Sequence, residues 1–148
     1  MTRQEYATEL RKRGYNCAQA VLAATADMHY MLDEEVLLAA GGGLGGGARQ
    51  GELCGAASGA AVALGFIFPH NGDGDNYAKA VITEKTREFM EKFKKKYGNL
   101  ACSKLLEVDM SRPGGLKEAM ETGAIERCAE YIAGAISILE EMVEGEKN

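Results

Sequence analysis

The chain has 148 residues, 46% hydrophobic and 26% charged, and a net charge of −5. That length suits one domain over residues 1–148, and the apolar share excludes global disorder. The acidic balance argues against nucleic acid as a partner, which would require a basic face.

Apolar alternation is weak and helical spacing dominates, so every regular element is expected to be a helix. The first spans residues 2–13, with Thr2 as N-cap and Gly14 as its stop. A second begins after Asn16 and carries Cys17, Ala20, Val21 and Ala24 on one side. Asp33 caps a short helix over 34–40, which the glycine run at 41–47 breaks. The next helix, 52–68, is central and rich in Gly and Ala, and Pro69 ends it. Residues 70–74 form a loop. Asp75 then caps a long amphipathic helix, 76–97, with Tyr77, Val81, Met90, Phe93 and Tyr97 expected on one buried stripe. The lysines at 92 and 94–96 suit the negative end of its dipole.

Gly98 stops that helix, and Asn99 starts a short one through Cys102, Leu105 and Leu106. A turn follows at 112–115. The last helix, 123–144, places Ile125, Cys128, Ile132, Ala135, Ile136, Leu139 and Val143 at core spacing, and the acidic end at 140–147 is expected to fray. The sum is an all-α fold, a compact multi-helix bundle with a buried Gly/Ala-rich central helix.

The N-terminus lacks the long apolar core of a signal peptide. The most apolar stretch, residues 53–68, is short for a span, which needs about 20 apolar residues. A cytoplasmic protein without a membrane span is therefore expected.

Gly43, Gly47, Gly51, Gly55 and Gly59 recur every four residues, and Ala63 continues the series. From Gly51 to Ala63 they would form a flat strip on the central helix, where another helix, a cofactor at Gly55 and Gly59, or a second copy in a homo-oligomer could approach closely. Leucine at Gly55 or Gly59 is expected to destabilise the fold. The glycine run does not fit a P-loop, which ends in Gly-Lys-Ser/Thr, although Arg49 could help hold an anion.

The four cysteines, Cys17, Cys54, Cys102 and Cys128, are widely spaced and form no Cys-x-x-Cys pair. In a reducing cytoplasm their thiols would stay free. Three fall at predicted helix starts, where the dipole favours thiolate. Cys128 falls inside the last helix and reads as a small core residue. The two histidines, His29 and His70, lie near predicted loops, and His70 is a candidate base or ligand beside the central helix.

Residues 54–59 read Cys-Gly-Ala-Ala-Ser-Gly. With Cys17 in Gly-Tyr-Asn-Cys-Ala-Gln-Ala upstream and Cys102 and Cys128 downstream, the chain resembles the C-GCAxxG-C-C family. These are small bacterial and archaeal proteins of about this length, named for a redox role. The resemblance runs from Gly14 to about Leu139. It implies redox chemistry at clustered thiols, and a link to transport. A similar region in a split-Soret type cytochrome has been associated with an iron–sulfur centre. The chain has no Cys-x-x-Cys-His, so covalent haem is not expected.

Three functions remain open at this point. In the first, Cys54 attacks a disulfide and Cys17, Cys102 or Cys128 resolves it, with an unidentified redox partner. In the second, all four thiolates hold zinc or an iron–sulfur cluster. In the third, the protein is a non-catalytic helical partner with inert cysteines.

Overall fold

A computed structural model describes residues 1–29 and 33–145. Among them are eight α-helices: α1 (Arg3–Lys12), α2 (Cys17–Ala24), α3 (Glu34–Gly41), α4 (Gly55–Ile67), α5 (Asn76–Tyr97), α6 (Cys102–Leu106), α7 (Gly115–Glu121) and α8 (Cys128–Glu144). The fold is all-α, as the helical spacing predicts. None of the described helices is long and apolar enough to cross a membrane.

The expected caps are present. Thr2 and Asn16 each form a reciprocal capping box, with Glu5 and Gln19 respectively, and Asp75 accepts from the Ala78 amide at the start of α5. Such caps satisfy amides that the helix cannot. Gly98 ends α5 in the left-handed conformation.

The core lies where α2, α4 and α8 meet, with α1 and α5 packed outside them. Its largest side chains include Leu10, Leu22, Leu37, Leu64, Phe89, Phe93, Ile136 and Leu139. The central helix is α4, which is Gly/Ala-rich and largely buried as expected. It approaches α2 so closely that a Cβ at Gly59 would sit 2.8 Å from the carbonyl oxygen of Ala18. Missing side chains are therefore what permit this contact.

Four expectations need correction. First, α4 begins at Gly55, and Gly51 lies outside it in a left-handed turn. The flat strip is thus Gly55, Gly59 and Ala63. Its glycines face Cys17 and Ala18 of the same chain, so they are not open as an oligomer seam. Second, Tyr77 is 82% exposed, because the first half of α5 extends beyond the core and only Phe89 and Phe93 are fully covered. Third, His29 is buried and stacks on Phe66, whereas His70 is exposed. Fourth, Glu140 and Glu144 do not fray, since Arg3 ties both to α1. Residues 146 and 147 of that acidic end lie outside the described residues.

Candidate functional site

Each cysteine stands at the start of a helix. Cys17 opens α2, Cys54 is the N-cap residue of α4, Cys102 opens α6 and Cys128 opens α8. The reading of Cys128 as a mid-helix residue is corrected by Gly123. That residue is left-handed, and residues Ala124–Arg127 wind as a tighter 3-10 turn before the α-helix proper begins.

All four sulfur-bearing residues line one cavity of about 80 Å³. Arg11, Asn16, Arg49, Gly55 and Tyr131 contribute to the same wall, with Leu105, Leu106, Met110, Leu116 and Ile125 as its apolar part. No disulfide is formed, and Cys17 is the one thiol with partial exposure; Cys54, Cys102 and Cys128 are buried.

Three local devices hold the cysteines there. Asn16, which precedes Cys17, donates from Nδ2 to the carbonyls of Gly41 and Gly42 at 3.2 Å, while Gln19 donates to Leu38. These bonds fix the start of α2 against the end of α3. The second device is a two-residue antiparallel bridge, Leu53 with Ala101. Here the Cys54 amide donates to Leu100 O at 2.7 Å, and the Cys102 amide donates to Glu52 O at 2.6 Å. Side chains alternate along such a pair, so Cys54 and Cys102 share the side opposite Leu53 and Ala101. In the third, Tyr131 on α8 donates to Leu105 O and Arg127 donates to Leu106 O, pinning α6 to the start of α8.

The electrostatics separate the thiols. The neighbouring Cys128 thiol holds Cys17 down to about 7 against burial, with the Arg11 charge assisting. The same pairing and burial push Cys128 up. Burial pushes Cys54 up to about 12, although the amides of Ala56 and Ala57 point at its sulfur, and pushes Cys102 up to about 11. The helix starts alone therefore do not ionise Cys54 or Cys102, because desolvation outweighs the dipole.

The rim carries a strained turn. Gly46, Gly47, Ala48 and Arg49 have consecutive φ values of 63°, 62°, 55° and 62°. Left-handed residues with a Cβ cost about 1–2 kcal/mol each. Strain of this kind persists where it places a functional group, and here it brings Arg49 to the cavity. Gly55 lines the cavity, while Gly59 is covered by Ala18.

Sequence reasoning missed Arg11, Tyr131 and the bridge. Only Arg11 left a signal, lying in the last turn of α1, five residues before Asn16 (16 − 11). Among the described residues no three His, Cys, Asp or Glu side chains are arranged to hold a metal ion.

A family model described as putative redox-active protein (C_GCAxxG_C_C) matches residues 15–142. No curated protein and no solved structure matches the chain.

Proposed function

The chain belongs to the C_GCAxxG_C_C family, and on that premise we propose that it is a dithiol reductant in which Cys17 attacks and Cys128 resolves. The observation that carries this reading is that all four cysteines line one cavity, with Cys17 the partly exposed one among them. Thiol exchange needs an accessible thiolate near neutral pH and a second thiol within reach. Cys17, the partly exposed thiol, and Cys128, on the wall of the same cavity, are assigned these two roles.

The balance is that of a two-electron reduction. The Cys17 thiolate attacks one sulfur of a disulfide, forming a mixed disulfide and releasing a thiolate. That leaving group takes the proton that Cys128 holds. The Cys128 thiolate then attacks Cys17 Sγ, expels the second sulfur as a thiolate that takes its proton from solvent, and leaves a Cys17–Cys128 disulfide. Cys54 and Cys102, buried and with raised values, remain thiols during this cycle. A link to transport would make the protein a redox partner of a membrane protein, since no described helix spans a bilayer.

Oxidation of the reduced protein by one equivalent of a small disulfide, followed by peptide mapping, tests the assignment. The expected product is Cys17–Cys128, absent in Cys17→Ser. A Cys54–Cys102 product, or four unreactive thiols, would refute it. Bound zinc, or iron with sulfide, in the anaerobically purified protein would replace it with a metal centre.

A further inference from the structure

We infer that the thiol cavity takes a small disulfide bearing carboxylates, with Arg11 and Arg49 recognising its negative charge. This rests on the dithiol reading above and adds the class of substrate. The protein is acidic overall, at −5, yet the cavity wall contains two guanidiniums and no carboxylate. Neither arginine belongs to a salt bridge among the described residues.

Each guanidinium is placed with care. Arg11 donates from Nη1 to Tyr15 O at 3.1 Å, which anchors it beside the start of α2 and leaves other donors of its fork free for a ligand. Arg49 stands at the end of the left-handed turn and is exposed at the rim. Its side chain folds back over Gly46, where a Cβ would come within 3.8 Å of Cδ and Nη1. Gly46 and Gly47 enter the left-handed region freely, whereas Ala48 and Arg49 do so at a cost, and the turn sets Arg49 at the cavity.

The remaining wall is chosen by chemistry. Leu105, Leu106, Met110 and Leu116 offer apolar surface for methylenes and sulfur. A guanidinium fork matches a carboxylate in two parallel hydrogen bonds. A volume of about 80 Å³ fits one arm of a small molecule. In the reaction the substrate S–S bond breaks, two thiols leave, and the two electrons come from Cys17 and Cys128 as their disulfide forms.

The test is single-turnover oxidation of the reduced protein by three disulfides of similar size. These are 3,3′-dithiodipropionate with two carboxylates, the neutral bis(2-hydroxyethyl) disulfide, and cystamine with two ammonium groups. Each rate is divided by that with a small neutral dithiol, which removes leaving-group differences. Dithiodipropionate is expected to react about tenfold faster than the neutral compound, with cystamine slowest. That preference should shrink as salt rises, and Arg49→Gln should lower the anionic-to-neutral ratio, with Arg11 keeping the remainder. Should Arg49→Gln fail to fold, the salt dependence of the natural protein still decides. Equal normalised rates for all three, or a ratio unchanged in a folded Arg49→Gln protein, would overturn the charge assignment and leave the dithiol reading standing. No oxidation by any of them would overturn both.

Discussion

Alanine at Gly59 and at Gly65 should shift stability in opposite directions, although both residues lie in α4. A Cβ at Gly59 would come within 2.8 Å of Ala18 O and 2.9 Å of Ala18 Cα. Both atoms are backbone, so no side chain can rotate away. The two helices must part by about half an ångström in a close-packed interior. Overpacking of this type costs about 1–3 kcal/mol, and the better helix propensity of alanine recovers about 1. The net expectation for Gly59→Ala is a loss of about 1 kcal/mol. Gly65 has nothing within 4 Å of its added Cβ. There the propensity acts alone and Gly65→Ala should gain about 0.5–1 kcal/mol. The two variants should differ by about 4–8 °C in Tm for a chain of this size. Gly59→Ala should also change the alkylation rate of Cys17, which opens the displaced helix, while Gly65→Ala should not. A Gly59→Ala protein that melts at or above Gly65→Ala would refute the argument from close approach.

The pH profile of alkylation should identify Cys17 as the first thiol labelled, with a midpoint near its value of about 7. Cys128→Ala removes the neighbouring thiol that lowers Cys17 and should move that midpoint up, whereas labelling of Cys54 first would contradict the assignment. Stability should rise with pH from about 7 to 9, because Cys17 is ionised in the fold before it is in the unfolded chain. Above about pH 9 it should fall, since Cys54 and Cys102 hold their protons in the fold while the unfolded chain releases them. Urea unfolding across that range checks both signs, and a flat alkaline limb would refute the second. Gly51 has φ +68° and an added Cβ would lie 1.9 Å from Ser103 Oγ, which accepts from the Met110 amide. Gly51→Ala should therefore cost about 2–3 kcal/mol from strain and a disturbed hydrogen bond. Gly98→Ala, equally left-handed but with open space around it, should lose only the strain; equal losses in denaturant melts would show that Ser103 plays no part.

The all-α class and the caps at Thr2, Asn16 and Asp75 were legible because they depend on residues close in sequence. The family resemblance was legible from the four cysteines and their order. Their convergence was not, since it depends on a backbone bridge between residues 53 and 101 that leaves no periodic signal in either segment. The early end of the glycine strip was hidden for a related reason. A glycine that permits close approach and one that permits positive φ are the same letter, and Gly51 and Gly59 differ only in the fold around them. The burial of Cys54 was not legible, because helix starts are visible in sequence and burial depth is not. Tyr77 shows the converse case, where helical periodicity continues past the end of the core that gives it meaning.

Two amide hydrogen bonds clasp the chain between Glu52 and Cys102, so α4 and α5 form an excursion that leaves and returns at one point. The entropy of closing such a loop rises only slowly with its length. The far end of the excursion, where α4 passes into the exposed start of α5, can thus lengthen or shorten by whole turns without the clasp registering the change. Length variation among relatives should collect at that tip, and a proteolytic nick there should leave both halves fastened around the sulfur atoms.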